Sequence, residues 1–161
     1  MGTNFYCKHI PTEEEYKKMQ EALTNKQLDK LEELLHDAKK EYHIGKRSCG
    51  WQFLFAPHIK IREGFSNSGQ VVSPWENKLE SIKEYLSRPD VIIYDEYGTE
   101  FTPEQFWNKE IGYCLYNDPE NSINGEQYDK KHPNQRSGIS LDSMEFTTEE
   151  GLRFSTDEDF C

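Results

Sequence analysis

Segments typical of strands and segments typical of helices follow one another along this chain, and this order constrains the fold more than any other feature. Residues 3–9 and 91–94 read as short strands, and apolar residues alternate along residues 50–56. Apolar residues at helical spacing separate these segments, and short turn sequences predict hairpins rather than parallel crossovers. We therefore predict the α+β class, with a small antiparallel sheet and packed helices, in a single domain over residues 1–161.

Two amphipathic helices are predicted within residues 11–41, directly after the first strand. The first begins at Thr12, where Glu15 completes a Thr-x-x-Glu capping box. The second carries leucines at helical spacing between Leu28 and Leu35. We predict a helical hairpin insert, which either packs on the sheet or forms an arm that binds a partner.

Further local signals lie in the second half of the chain. Asp95 to Gly98 predicts a hairpin turn, with the glycine where backbone freedom is needed. Thr102, followed by proline and then Gln105, predicts a helix start. Residues 117–138 are polar with few apolar side chains, so we predict a long polar loop there. Residues 144–154 predict a final hairpin.

The charge balance narrows the function. Thirty acidic residues against nineteen basic ones give a net charge of -11. This balance argues against general nucleic-acid binding, which depends on Lys and Arg neutralising phosphates. An acidic surface either keeps the protein soluble or binds a basic groove on another protein. Acidic residues are dense near the end of the chain, and we predict Asp157, Glu158 and Asp159 as partner-binding residues.

The sequence gives no sign of a membrane or secretory location. No apolar run approaches the roughly 20 residues that span a bilayer, and the first residues lack the apolar core of a signal peptide. We therefore expect no membrane partner. The cysteines are widely spaced and form no Cys-x-x-Cys pair, so we predict thiols rather than disulfides. They are Cys7, Cys49, Cys114 and Cys161.

The segment from His43 to Trp51 carries the densest chemistry. A lysine, a serine and two glycines lie on what we predict to be a turn before a strand. Turns that bind phosphate carry groups of the same kinds. This segment differs from a P-loop, because the upstream glycine spacing is missing and a strand follows it. We predict His43, Lys46, Ser48 and Trp51 as ligand-binding residues. The alternative is a structural turn in which the glycines supply unusual backbone angles.

A zinc site is a second possibility for the same region. Cys7 and His9 share one face of the first strand, because alternate residues do. With His43 and Cys49 they make a Cys2His2 set, which suits tetrahedral zinc. Zinc is therefore the cofactor we consider. The alternative is that the cysteines are small buried side chains.

A catalytic hypothesis uses several of these groups. His43 would be the base and Ser48 or Cys49 the nucleophile, with Asp95 or Glu96 as the orienting acid. Nothing in the spacing brings them together, so we favour a protein that is not an enzyme.

Four motifs stand out in the chain: residues 1–6, residues 43–46 with Ser48, Gly50 and Trp51, residues 95–98, and residues 151–154. Together they resemble a family of small bacteriophage and prophage proteins that open with MGTNYY and carry an HIGKSSAGW segment. The resemblance covers most of the chain outside the helical insert and the polar loop, and it implies a phage origin more than an activity. Many members look like zinc proteins with a Cys-x-x-Cys before the HIGK segment, where this chain has only Cys7 and His9.

The phage resemblance, the acidic charge, the helical insert and the lack of a convincing catalytic set together predict an acidic accessory protein encoded by a phage. We expect it to bind and inhibit a host protein in the host cytoplasm, such as a nucleic-acid-binding defence effector, in the manner of an anti-CRISPR protein. The alternative is a small metal- or nucleotide-binding protein, or an enzyme, that uses the segment from His43 to Trp51. A purely structural role is a third hypothesis.

Overall fold

The computed structural model describes residues 2–48, 53–60, 69–107, 145–149 and 152–156, and the architecture given below is that of these residues. Short strands alternate with helices in the order that the sequence predicts. In chain order the elements are β1 (Gly2–His9), α1 (Glu13–Thr24), α2 (Leu28–Ala38), β2 (Glu41–Ser48), β3 (Leu54–Phe55), α3 (Leu79–Leu86), β4 (Val91–Asp95), β5 (Glu100–Phe101), α4 (Pro103–Gln105), β6 (Glu145–Thr147) and β7 (Arg153–Ser155).

The strands form one seven-stranded sheet in the order β5-β4-β1-β2-β3-β7-β6. β1 pairs antiparallel with β2 on one side and with β4 on the other. The pair β3/β7 is parallel, and the other neighbouring pairs are antiparallel. The predicted α+β class is therefore confirmed, with a larger sheet than expected.

Local signals locate several element boundaries correctly. Thr12 caps α1, because its hydroxyl accepts the amide of Glu15 at 3.3 Å and its own amide donates to the Glu15 carboxylate at 2.7 Å. Thr102 and Gln105 form the same reciprocal pair at α4. In the turn after β4, Gly98 has φ +83°, so the predicted need for a glycine is confirmed.

The core lies on one face of the sheet, beneath α3 and α4, and is mostly aromatic. Phe5 of β1 lies at its centre, with ring centroids 5.9 Å from Phe53 and 5.5 Å from Phe106. Aromatic side chains bury large areas, which offsets the low apolar content of the chain. The cluster consists of Phe5, Cys7, Ile44, Phe53, Phe55, Trp75, Ile82, Leu86, Ile93, Phe106, Leu152 and Phe154.

The turn predicted from His43 is wrong over the described part of that segment. Residues 41–48 form β2, which pairs with β1 as far as Gly2 opposite Ser48 and also pairs with β3 through Gly45 and Lys46. Two flanking strands satisfy its backbone groups, so the glycine marks close packing within a strand rather than a turn.

Several predictions fall outside the described residues. These are the polar loop over 117–138, the acidic group Asp157, Glu158 and Asp159, and the side chains of Cys49 and Trp51. Among the helices that the structure describes, none is long and apolar enough to cross a membrane.

Candidate functional site

A β-bulge in β2 determines which of its side chains share a face. Phe5 pairs with Gly45 and the next residue, Tyr6, pairs with His43, so Ile44 is the extra residue. Gly45 packs tightly at this point, since a β-carbon there would lie 2.3 Å from the carbonyl oxygen of Leu54.

The bulge brings three predicted ligand-binding residues to one face of the sheet. His43 lies opposite Tyr6, Lys46 opposite Asn4, and Ser48 opposite Gly2. In a regular strand, residues 43 and 46 would point to opposite faces. All three share the face that lies opposite the core, and we call it the polar face. In β1, β2 and β4 it is formed by Asn4, Tyr6, Lys8, Glu41, His43, Lys46, Ser48, Ile92 and Tyr94.

Aromatic rings cross three strands in the middle of the polar face. His43 stacks on Tyr6 with centroids 5.1 Å apart and planes at 26°. Tyr6 stacks in turn on Tyr94 at 5.9 Å and 28°. Lys8 places its ammonium group 5.1 Å from the centroid of Tyr94, and the Tyr94 hydroxyl donates to Glu41. Stacked cross-strand pairs hold these side chains in fixed positions.

A hydrogen-bonded chain orients His43. The Asn4 amide nitrogen lies 3.5 Å from Glu96 Oε2, and the Asn4 backbone amide donates to Glu96 Oε1 at 3.3 Å. A carboxylate only accepts, so the side-chain nitrogen of Asn4 faces Glu96 and its Oδ1 faces His43. His43 Nε2 lies 3.2 Å from that oxygen and therefore carries the proton. Glu96, considered from sequence as an orienting acid, thus reaches His43 through Asn4.

Lys46 adds a cation to the same face. A β-carbon on Gly2 would lie 2.4 Å from Lys46 Cε, so the lysine stem lies across the bare backbone of Gly2. The Lys46 ammonium group and the Ser48 hydroxyl can both donate to an anion, whereas the Nε2 proton of neutral His43 is directed at Asn4. Sequence reasoning missed Asn4, Tyr6 and Tyr94. The polar alternation along β1 is the signal for Asn4 and Tyr6, and Tyr94 joins them only through the pairing of β4 with β1.

The three described members of the predicted zinc set, Cys7, His9 and His43, do not form a ligand set. Cys7 follows Tyr6 in β1, so it points to the core face while His43 points to the polar face. Cys7 is fully buried, and this burial raises the pKa of its thiol, which disfavours the thiolate that zinc binds. Within the described ranges no group of three or more His, Cys, Asp or Glu residues could hold a metal ion.

His9, the other proposed zinc ligand, joins α1 to the segment before β4. Its Nε2 lies 2.9 Å from Glu15 Oε2 and its Nδ1 lies 3.1 Å from Asp90 Oδ2. Arg88 binds the same Asp90 carboxylate at 3.0 and 2.5 Å. The Arg88 hydrogen bonds hold the pKa of Asp90 below its usual value. His9 thus has a structural role at the base of the helical insert.

The helical insert itself is the second candidate site. α1 and α2 pack chiefly on each other rather than on the sheet. α1 buries Met19 and Ala22, whereas α2, which is described in full, has no fully buried side chain. Large apolar side chains remain exposed on both helices, and patches of this kind mark interaction surfaces. They are Tyr16, Leu23, Leu28 and Leu35, with 53%, 59%, 65% and 39% exposure.

Comparison with known proteins adds no relative. No protein-family model matches the chain, and no curated protein or solved structure does so either. The phage resemblance therefore stays a prediction from the four motifs.

Proposed function

We propose that this protein is an acidic accessory protein encoded by a phage, and that it binds and inhibits a host protein in the host cytoplasm. The observation that carries the proposal is the α1–α2 insert, which leaves four large apolar side chains exposed. The natural class of target is a nucleic-acid-binding defence effector, so the protein would act in the manner of an anti-CRISPR protein.

The insert is built as a defined arm. A capping box starts α1 at Thr12. At its other end Gln27 donates to the Ala22 carbonyl at 2.8 Å and Lys26 donates to the Leu23 carbonyl at 3.1 Å. These two bonds form a Schellman motif, which ends the helix sharply and directs the chain into α2. A hairpin with fixed ends that leaves apolar side chains exposed is suited to binding a partner.

Charge supports a basic target. The net charge of -11 would attract a protein whose groove carries Lys and Arg for nucleic acid. Such attraction speeds association and weakens as salt increases. The same charge opposes direct binding of nucleic acid by this chain.

The test is capture of host proteins by the tagged full-length chain, followed by binding of the captured protein in purified form at several salt concentrations. We expect one nucleic-acid-binding protein whose activity is inhibited. Replacing Asp157, Glu158 and Asp159 with Asn, Gln and Asn should weaken the binding and flatten its salt dependence. Unchanged binding and salt dependence would remove those three residues from the interface. A captured protein that retains full activity would contradict inhibition.

A second candidate function is supported by the bulge in β2. It places Lys46 and Ser48, two donors that suit an anion or a nucleotide phosphate, on the same face as His43. Titration calorimetry with inorganic phosphate and with nucleotides tests this function. Lys46→Gln should abolish the binding, while Lys30→Gln, a change of equal charge on α2, should not. Equal effects of the two variants would indicate general charge attraction and no site.

A further inference from the structure

The two helices of the insert carry the same pattern of exposure. We number positions from Tyr16 in α1 and from Leu28 in α2, each taken as position 0. Large apolar residues then occur at positions 0, 3, 6 and 7 of both helices, except that α1 has the small Ala22 at position 6. In α1 these are Tyr16, Met19, Ala22 and Leu23, and in α2 they are Leu28, Leu31, Leu34 and Leu35. In each helix positions 3 and 6 point inward and positions 0 and 7 are exposed.

This repetition places the exposed side chains on one side of the insert. Seen along either helix from its N-terminus to its C-terminus, positions 0 and 7 are rotated about the axis from positions 3 and 6 in the same direction. The helices pack on each other and are joined by three residues, so they are antiparallel. Seen from one fixed direction, the rotation is therefore clockwise in one helix and anticlockwise in the other. The inward sides face each other, so both exposed pairs lie on the same side. Leu23 and Leu28 lie near the turn, and Tyr16 and Leu35 lie near the base.

Position 4 lies within the same surface in both helices. It is Gln20 in α1 and Glu32 in α2, each between two exposed apolar residues. Position 2 lies on the opposite side and is a lysine in both helices, Lys18 and Lys30. Position 5 lies on that opposite side as well and is a glutamate in both helices, Glu21 and Glu33. One side of the insert is therefore apolar with a single acidic group, and the other side carries charged residues of both signs.

We propose that this apolar side, formed by Tyr16, Leu23, Leu28 and Leu35 around Gln20 and Glu32, docks into an apolar groove bordered by Lys or Arg on the target protein. The proposal rests on the proposed function and names its contact surface. Apolar anchors would supply the affinity, and Glu32 would pair with a basic group of the target.

Charge favours such a target over a second copy of this chain. Residues 13–38 contain eight acidic residues against four lysines. Two copies would bring two such inserts together within molecules that each carry a net charge of -11. Like charges at that distance repel, whereas a groove bordered by Lys and Arg attracts the same surface.

The first part of the experiment is photocrosslinking in host lysate with the full-length protein. A benzophenone amino acid replaces Gln20 or Glu32 in two test proteins, and Lys18 or Lys30 in two matched controls. We expect the test proteins to crosslink the host protein that the unmodified chain captures, at a peptide with apolar residues and Lys or Arg. Crosslinks of equal yield from the control positions would overturn the proposal.

The second part measures affinity for that host protein after purification. Leu23→Glu with Leu28→Glu adds two negative charges on the apolar side, and Lys18→Gln with Lys30→Gln makes the same charge change on the opposite side. The first pair should weaken binding by about tenfold or more, and the second by much less. Circular dichroism checks that both variants fold, which the exposure of all four positions favours.

The outcomes separate this inference from the proposed function. Retained binding by the Leu23→Glu, Leu28→Glu variant would overturn the docking surface and leave host binding intact. A crosslink to a second copy of the chain, with a dimer in sedimentation analysis, would replace the target with self-association. Capture of no host protein by the unmodified chain would overturn both proposals.

Discussion

Gly45 of β2 lies against the backbone of Leu54 in β3, so closely that a β-carbon on Gly45 would be 2.3 Å from the Leu54 carbonyl oxygen. The same glycine ends the bulge that brings His43 and Lys46 to one face. A single position without a side chain thus allows both the pairing of β2 with β3 and the composition of the polar face.

Gly45→Ala should lower the free energy of unfolding by about 3 kcal/mol, because the obstructing atom belongs to the backbone and cannot move aside. Gly98→Ala is the matched control. Its φ of +83° disfavours alanine, but nothing lies within 4 Å of the added carbon, so we expect a loss of about 1 kcal/mol. Urea unfolding measures both. Equal losses would contradict the close packing at Gly45.

Lys26→Gly should stabilise the protein by about 1 kcal/mol. Lys26 has φ +57° at the end of α1, a left-handed conformation that glycine adopts without steric cost. Asn25→Gly is the control, since Asn25 has φ -84° and gains nothing from glycine. Thermal unfolding of the two variants compares them, and a gain at both positions or at neither would argue against the Schellman motif.

The contribution of Asp90 to the free energy of unfolding should be largest at pH values above 3.8, the usual pKa of its carboxyl group. Hydrogen bonds from Arg88 lower the pKa of Asp90 in the folded state, so the folded protein holds the ionised form better than the unfolded chain does. The resulting stability is present above pH 3.8 and is lost as the pH falls through the lowered folded value.

Asp90→Asn should therefore reduce stability at neutral pH, and the difference from the unmodified protein should shrink as the pH falls below 3.8. Urea unfolding between pH 2.5 and 7 tests it. Glu104→Gln, an exposed position on α4, controls for the loss of one negative charge. A difference that stays constant with pH would show that the Arg88 pair contributes nothing to the acid response.

In the neutral His43 ring, the proton should be on Nε2, because that atom faces the acceptor oxygen of Asn4 at 3.2 Å. Two-bond nitrogen–proton NMR spectra distinguish the two tautomers. Asn4→Ala should reduce the preference, whereas Lys8→Ala, on the same strand and face, should leave it unchanged. A proton found on Nδ1 in the unmodified protein would contradict the Glu96–Asn4–His43 chain.

The Cys7 thiol should resist alkylation at pH 8 while the protein is folded. It is fully buried, and desolvation raises its pKa, so very little of the reactive thiolate forms. Mass spectrometry of peptides after iodoacetamide treatment follows this site, and treatment in denaturant provides the control. Rapid labelling of Cys7 under native conditions would contradict its position in the core.

Sequence reasoning succeeded where a few neighbouring residues determine the outcome. The caps at Thr12 and Thr102 and the turn ending at Gly98 depend on hydrogen bonds or backbone angles within four residues. Such interactions form in almost any tertiary context, so their residue types predict them. The alternation of apolar residues likewise predicted the α+β class.

The polar face could not be predicted in the same way. Residues 43–48 carry three of the chemical groups and a glycine, and these types favour a turn when only neighbours are considered. β2 forms because β1, distant in sequence, and β3 satisfy its backbone on both sides. The contact from Glu96 through Asn4 to His43 joins the turn after β4 to two strands, and no spacing in the sequence encodes it.

By itself the sequence determined the helix boundaries at their caps, the fold class and the acidic charge, because each depends on local bonding or on composition. Tertiary structure alone decided that Cys7 and His43 point to opposite faces and that His43, Lys46 and Ser48 share one. The reason is that strand register and bulges arise from packing between distant segments, and a shift of one residue moves every following side chain to the other face.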